Sequence, residues 1–269
     1  MKKLSFVGLE ANSVLMRMVK ILRLNYALNY IIDFAPKRIQ NLVEDRKLRY
    51  RVHNRRRLLP EEPLSDKYRE ILLLLKERHG ASSLGDYLEF GVYNGTSMIC
   101  MHRVLGELGF DSIRLFGFDS FEGLPETAAK DDEGTWHPGQ FSCDYEFTRK
   151  VLDLEDVDWN RIFLIKGWFS DTLNDDLIRK YNITNASVIM IDCDMYLSAK
   201  EALNFCAPLI QKEAVILFDD WYSGDRLADR NLGEKRAFDE FLSENPYFKA
   251  EELNSYTKNA KIFLITRMM

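Results

Sequence analysis

Two groups of aspartates follow two apolar segments of the sequence. The segments are 187–191 and 214–218, and the acids that follow them are Asp192, Asp194, Asp219 and Asp220. Four carboxylates on one rim repel each other unless a cation or a proton joins them, and oxygen ligands suit a hard divalent cation such as Mg²⁺. The alternative is that these are ordinary strand-end acids that cap the following helices. Capping explains one aspartate per turn but not two at both turns, so the pattern favours a metal site.

The two apolar segments belong to an alternation of strand and helix patterns. Both are continuous and rich in β-branched residues, which is typical of parallel strands covered on both faces. A right-handed crossover through the helical pattern between them makes the strands parallel, so their acidic ends reach the same ligand-binding edge of the sheet. Strands are predicted at 87–90, 113–118, 161–165, 187–191, 214–218 and 261–266, and helices at 65–79, 96–108, 145–152, 171–181, 198–211 and 234–243. The alternation predicts an α/β fold with a doubly wound parallel sheet.

The first strand–turn–helix unit carries a nucleotide-binding pattern. Gly91 stands at the turn and Gly95 just before the helix, where a backbone without a side chain can approach a ligand and the helix N-terminus offers N–H groups. The unit lacks the middle glycine that admits a pyrophosphate. Asp119 ends the next predicted strand, where an acid accepts hydrogen bonds from ribose hydroxyls. An acid after the second strand, together with a first turn that cannot hold a diphosphate, favours an adenosine-containing ligand such as S-adenosylmethionine.

A long segment, 121–142, interrupts the alternation and contains Trp136 and His137. A loop of that length in a compact domain is usually functional, and often a lid. His137 is therefore either an acceptor-binding or basic residue on a lid, or an ordinary loop histidine beside Pro138. The sequence leaves both interpretations open.

Five motifs occur in order along the chain: EFGVYNGTS at 89–97, FDSFEGLP at 118–125, KGWFSDTL at 166–173, IDCDMY at 191–196 and FDDWY at 218–222. Together they resemble the macrocin O-methyltransferase family, which includes sugar methyltransferases of the mycinamicin and novobiocin pathways. The resemblance covers about residues 64–267. It implies a class I methyltransferase, Rossmann-like fold, with a seven-stranded sheet, helices on both faces and an antiparallel last strand. It also implies a Mg²⁺-dependent methyl transfer from S-adenosylmethionine to a sugar hydroxyl.

The resemblance also assigns roles to residues. Asp192, Asp219 and Asp220 would bind the metal, and Asp194 would be the general base. The residues expected to contact S-adenosylmethionine are Glu89, Phe90, Gly91, Asn94, Gly95, Thr96, Ser97, Asp119, Ser120, Gly167, Trp168 and Asp192.

The same chemistry follows from the acids themselves. A sugar hydroxyl must lose its proton as it attacks, and a divalent cation lowers the hydroxyl pKa and favours a vicinal diol as acceptor. Asp194 lies two residues after Asp192, so in an extended chain both side chains face one side and Asp194 can take the proton. The alternative is that Asp194 caps the helix that starts near Leu197. Trp168 and Trp221 would stack on adenine and on the acceptor, respectively, or would pack at the rim.

Residues 1–59 differ in composition from residues 60–269. The first segment holds 14 Lys and Arg against 4 Asp and Glu. An apolar stripe from Leu15 to Tyr30 indicates an amphipathic helix, interrupted by charge too often to span a membrane. We expect this helical, basic extension either to pack on the domain or on a second copy in a homo-oligomer, or to lie on an anionic membrane surface.

The charge and the cysteines limit the other partners. Residues 60–269 are acidic, which disfavours a nucleic-acid substrate. The four cysteines form no C-x-x-C pair, which suits a reducing, cytoplasmic location. If the extension lies on a membrane, that surface would be the inner face. Two alternative functions remain: an NAD-dependent sugar oxidoreductase, which should have a glycine-richer first turn, and a non-catalytic scaffold of the same fold, which has no chemical reason to keep four clustered acids.

Overall fold

The computed structural model describes residue 30 and residues 32–268. The chain divides into two compact units, residues 1–56 and 57–269. The predicted boundary between residues 59 and 60 stays a prediction. Most of the apolar stripe predicted from Leu15 onward lies outside the described residues.

In the first unit, helix α1 spans Lys37–His53. Ile39 and Leu42 on this helix are exposed, as is Phe34 before it. The helix also carries the basic residues Lys37, Arg38, Arg46, Lys47, Arg49 and Arg51. Two of them form ion pairs within the helix, Lys47 with Glu44 and Arg49 with Asp45. No helix in the part of the chain that the structure describes has the length and hydropathy needed to cross a bilayer.

The second unit is built on a seven-stranded sheet. Its strands are β1 Asp86–Phe90, β2 Leu115–Asp119, β3 Ile162–Lys166, β4 Ala186–Ile191, β5 Glu213–Phe218, β6 Phe248–Leu253 and β7 Lys261–Arg267. The strand order is β3-β2-β1-β4-β5-β7-β6. Strands β1 to β5 are parallel to one another, whereas β7 is antiparallel to both β5 and β6. The predicted seven-stranded sheet with an antiparallel last strand is confirmed.

Helices cover both faces of the sheet. They are α2 Glu61–His79, α3 Thr96–Leu108, α4 Tyr145–Leu154, α5 Phe169–Thr172, α6 Asp175–Tyr181, α7 Tyr196–Cys206, α8 Ser223–Arg226 and α9 Gly233–Glu244. On one face, the Tyr87 hydroxyl of β1 contacts Tyr68 of α2 and Ser97 of α3. On the other, the ring of Phe90 stacks on Phe118 and meets the edge of Phe205 of α7. Alternate residues of the central strands thus supply two cores.

Most predicted elements are present, with shifts of a few residues at their ends. The predicted helix over 171–181 is two helices, because Leu173 and Asn174 leave the helical conformation. Strand β6 was missed by the sequence pattern. It is an edge strand of which only Phe248 is buried, so it lacks the apolar run that marks the buried strands.

The register of the sheet brings the predicted site residues together. Phe90 pairs with Phe118 on one side and with Ile191 on the other, and Ile191 pairs with Phe218. The residues that follow these four are Gly91, Asp119, Asp192 and Asp219. They therefore stand side by side at the carboxyl edge of the sheet.

Candidate functional site

A cavity of about 490 Å³ opens at this carboxyl edge. A volume of that size is in the range of small-molecule sites. Of the residues predicted to bind the cofactor, those that line it are Gly91, Asn94, Thr96, Asp119, Ser120, Gly167, Trp168 and Asp192. All three predicted metal ligands and the predicted base, Asp194, line it too. One cavity therefore joins the glycine turn to the acidic groups.

The carboxylates of Asp192, Asp219 and Asp220 form a compact cluster. One oxygen from each lies within 4.8 Å of the others, an arrangement able to hold a metal ion. Burial raises the pKa of Asp192 well above its usual range, and the charges of Asp219 and Asp220 raise it further. Burial and the Asp220 charge raise the pKa of Asp219 to about 7, against the lowering effect of a hydrogen bond from Tyr256. No described lysine or arginine forms an ion pair with these acids. Within residues 32–268, the acidic cluster is therefore not neutralised by a basic partner.

Asp194 stands next to this cluster in a left-handed backbone conformation, with φ of +62°. Its side chain is buried, and burial together with the charges of Asp220 and Asp219 raises its pKa. It does not cap α7, contrary to the alternative. The N-terminus of α7 is capped from the long loop instead, because Asp132 accepts a hydrogen bond from the Tyr196 amide at 2.9 Å and Asp131 accepts one from the Leu197 amide at 2.8 Å.

Two residues that sequence reasoning missed also contact the cluster. The Tyr256 hydroxyl donates a hydrogen bond to Oδ1 of Asp219. Oε2 of Glu234 accepts a hydrogen bond from the Asp220 amide at 3.1 Å. Glu234 is almost fully buried, and its Oε1 has no hydrogen-bond partner among the described residues. Neither residue belongs to a motif, and a glutamate at the start of a helix is ordinarily solvent-exposed, so no sequence pattern marks either as a site residue.

The carboxylate of Asp119 binds the backbone of the glycine turn. Its Oδ2 accepts hydrogen bonds from the amides of Val92 and Tyr93, both at 2.8 Å, and its Oδ1 accepts one from the Phe121 amide at 2.6 Å. Burial raises the pKa of Asp119, and these three amides counter the increase. Asp119 thus orders two loops of the cavity, a role the sequence did not predict. It also lines the cavity, as its predicted contact with a ribose requires.

Four predicted cofactor residues do not line the cavity: Glu89, Phe90, Gly95 and Ser97. Phe90 belongs to the core. Glu89 accepts hydrogen bonds from the Tyr87 and Ser97 hydroxyls at 2.5 and 2.8 Å. Burial raises the pKa of Glu89 to about 8. Neighbouring strand residues point to opposite faces of the sheet, so Glu89 faces Ser97 of α3 whereas Phe90 faces the aromatic core.

The aromatic candidates and the histidine occupy different places. Trp168 is half-buried and lines the cavity. Trp221 is buried against the rings of Phe218, Phe238 and Phe263 and does not line it, so its predicted stacking on the acceptor is replaced by core packing. His137 is exposed and also does not line it.

The loop over 121–142 is structured. It contains two short 3₁₀ helices, Glu126–Ala129 and Asp131–Gly134. Trp136 and Ala128 pack with Met195 and Leu227 in a small core of their own. Part of the loop, including Leu124 and Phe141, lines the cavity. The segment therefore forms a wall of the site.

Comparison with known proteins identifies a family model that matches this chain. A family model described as macrocin-O-methyltransferase (TylF) matches residues 77–242, which is more than half of the chain.

Individual relatives match over part of the chain or by fold. An 8-demethyl-8-(2,3-dimethoxy-alpha-L-rhamnosyl)-tetracenomycin-C 4'-O-methyltransferase from Streptomyces olivaceus is 31% identical over 143 residues, 51% of this chain and 53% of that protein. The match thus spans about half the length of this curated relative. The O-methyltransferase NovP superposes with a TM-score of 0.60 at 19% identity, covering 77% of this chain and 80% of NovP. An O-methyltransferase from Bacillus cereus in complex with SAH superposes with a TM-score of 0.53 at 15% identity, covering 88% and 96%. These structures share the fold.

Proposed function

Because the chain belongs to the macrocin O-methyltransferase family, we propose that it transfers a methyl group from S-adenosylmethionine to a sugar hydroxyl. The acceptor would be a glycosylated natural product or a surface glycan. The observation that carries this proposal is that one cavity brings a glycine turn and a strand-end acid next to four clustered aspartates. The Streptomyces relative, whose name specifies a rhamnosyl substrate and a 4'-O-methyl transfer, supports a sugar acceptor.

The cofactor would lie along the glycine turn. Gly91 and Asn94 offer backbone and amide groups, Asp119 accepts from the ribose, and Trp168 stacks on the adenine. The glycine turn lacks the middle glycine of a diphosphate-binding turn, which favours a nucleoside ligand without a diphosphate. When bound, S-adenosylmethionine supplies an electrophilic methyl group on a sulfonium.

The acidic cluster fits a divalent cation. Its donors are all carboxylate oxygens, it is partly buried, and no lysine or arginine that the structure describes forms an ion pair with it, so Asp192, Asp219 and Asp220 would hold Mg²⁺. When bound, Mg²⁺ supplies Lewis acidity that makes a neighbouring hydroxyl easier to deprotonate. Tyr256 and Glu234 would fix the orientation of Asp219 and the backbone of Asp220.

Asp194 would be the general base. Its carboxylate stands beside the cluster and is not engaged in capping α7, so it is available to a hydroxyl in the cavity. Asp194 would take the proton of the acceptor hydroxyl as that hydroxyl attacks the methyl group that bound S-adenosylmethionine would supply. The reaction is then mainly one of positioning, since the oxygen must stand in line at about 3–3.5 Å. His137, which is exposed and away from the cavity lining, is the weaker candidate.

Titration calorimetry with the full chain tests the proposal before any acceptor is known. We expect heat of binding with S-adenosylmethionine and with Mg²⁺, and none with NAD. A panel of rhamnosides and other glycosides with vicinal hydroxyls, followed by release of S-adenosylhomocysteine, then tests turnover. Binding of NAD in preference to S-adenosylmethionine would favour the oxidoreductase, and cofactor binding without turnover on any glycoside would favour the scaffold.

For residues 1–59 we propose a contact with an anionic membrane surface. Phe34, Ile39 and Leu42 are exposed on or just before a helix that contains six Lys and Arg residues, and each basic residue near an anionic leaflet contributes about 1 kcal/mol. The full chain should sediment with anionic vesicles and be released as salt rises. A truncation that begins at Leu58 should lose this binding and keep its affinity for S-adenosylmethionine. Dimerisation by light scattering without vesicle binding would instead favour packing on a second copy.

A further inference from the structure

One carboxylate of the long loop holds two segments of the site. Oδ2 of Asp132 accepts a hydrogen bond from the Tyr196 amide at 2.9 Å, and Oδ1 accepts one from the Gly233 amide at 2.7 Å. Asp132 is buried, with 5% of its surface exposed. Each of its two oxygens therefore has a backbone partner, and the two partners lie on separate elements.

Both segments lead to the acidic cluster. Tyr196 is two residues after Asp194, at the end of the turn that carries it. Gly233 directly precedes Glu234, whose Oε2 accepts a hydrogen bond from the Asp220 amide at 3.1 Å. A displacement of Asp132 would therefore move both the turn after β4, which carries Asp194, and the segment that contacts Asp220 after β5.

The local backbone indicates that this contact is strongly favoured. Asp132 and the next residue, Glu133, both have positive φ, at +44° and +59°. Such conformations are costly for residues other than glycine and persist where the surroundings stabilise them. Hydrogen bonds from amides to a buried carboxylate are charge-assisted and supply that stabilisation.

We propose that Asp132 is a positioning residue that fixes the two halves of the carboxylate cluster relative to each other. This inference rests on the proposed metal-dependent function. Asp132 touches neither substrate nor cofactor in this role, and it acts through the amides of Tyr196 and Gly233. Its neighbour Asp131 accepts hydrogen bonds from the Leu197 amide of α7 and from the Asp132 amide of its own loop, so it does not link the two halves.

The variant D132N tests this role. An asparagine keeps one acceptor oxygen and presents a donor where the second amide needs an acceptor, so one of the two links is lost. We expect the affinity for Mn²⁺, measured by calorimetry and by its electron paramagnetic resonance signal, to fall by about 10–100-fold. The affinity for S-adenosylmethionine, which depends on the other end of the cavity, should stay within about threefold of the parent. In turnover assays kcat should fall while KM for S-adenosylmethionine is unchanged.

The matched control is D131N, which changes the adjacent carboxylate of the same loop. It should lower the melting temperature without changing Mn²⁺ affinity. If D132N does not fold, E234L tests the same chain of contacts, because it removes the acceptor for the Asp220 amide. Parent-like Mn²⁺ affinity in D132N, or in E234L where that variant is needed, would overturn the inference, and so would an equal loss in D131N. A parent protein that binds no Mn²⁺ would instead overturn the metal site of the proposed function itself.

Discussion

A Cβ atom on Gly91 would lie 1.7 Å from the carbonyl oxygen of Asp192. The glycine turn and the first aspartate of the cluster are thus in direct backbone contact, and the Asp192 amide donates a hydrogen bond to the carbonyl of Phe90 at 2.9 Å. The absence of a side chain at residue 91 therefore serves the approach of two strand ends. The two ends of the cavity share this contact, which makes the turn and the cluster one structural unit.

We predict that G91A is strongly destabilised and loses binding of both S-adenosylmethionine and Mn²⁺. The added methyl would overlap a backbone atom that no side-chain rotation can move, and Gly91 has φ of +94°. The matched control is G109A, since Gly109 has φ of +71° but no heavy atom within 4 Å of the added Cβ. G109A should show only the cost of the left-handed conformation, on the order of 1–2 kcal/mol, and keep both ligands. Equal melting temperatures for the two variants would contradict the steric argument.

We predict that D119A binds S-adenosylmethionine more weakly by about 1.5–3 kcal/mol, because charge-assisted hydrogen bonds are lost. Three backbone amides also lose their acceptor, so the melting temperature should fall as well. The control is D144A, which removes the N-cap of α4 and should reduce stability alone. Unchanged cofactor affinity in D119A, by calorimetry, would reject its assignment to the ribose.

We predict that D219N lowers Mg²⁺ affinity and methyl transfer together. One of three carboxylate ligands would be replaced by a weaker neutral oxygen. Without metal, the same variant should melt at a higher temperature than the parent, because repulsion from Asp220 is removed. Y256F is the companion variant, since it removes only the hydroxyl that donates to Asp219. Full turnover of the parent in excess chelator would refute the metal role.

We predict that D194N keeps its metal and cofactor affinities while the chemical step slows by roughly 10²–10⁴-fold. Asparagine has nearly the same shape but cannot accept a proton. Single-turnover measurements separate the chemical step from product release. H137A serves as the control, and it should retain the parent rate. If H137A were slow and D194N retained the parent rate, His137 instead of Asp194 would be assigned as the general base.

We predict that the stability of E89Q falls less with pH than that of the parent. Burial raises the pKa of Glu89 from the usual 4.5 to about 8, so the folded state resists its ionisation and the parent loses stability as pH rises between these values. The slope is at most about 1.4 kcal/mol per pH unit. Urea unfolding at pH 5 and pH 8 should show that the free energy of unfolding of E89Q, relative to that of the parent, increases with pH. E251Q, at an exposed position, is the control, and a pH-independent difference for E89Q would contradict the assignment.

The sequence by itself determined the sheet and the rim of the site. Continuous apolar runs predict the buried strands. Acids that directly follow two neighbouring parallel strands must meet at one edge of the sheet. Asp192 and Asp219 were therefore predictable as neighbours, since pairing of Ile191 with Phe218 follows from the strand register. The five motifs likewise predicted the family that the comparison confirms.

Only the tertiary structure decided which groups surround those acids. Asp132 is 64 residues from the Tyr196 amide that it caps and 101 from that of Gly233, and Tyr256 is 37 residues from Asp219. Such contacts are made by loops whose paths are set by packing, and no local periodicity encodes their partners. The same reason explains Trp221, whose side chain packs in the aromatic core. It also explains Glu89, which lies near the end of β1 but accepts hydrogen bonds from Tyr87 and from Ser97 of α3 and does not line the cavity. Spacing along the chain fixes which residues reach an edge, whereas the packing of distant segments fixes what each side chain meets there.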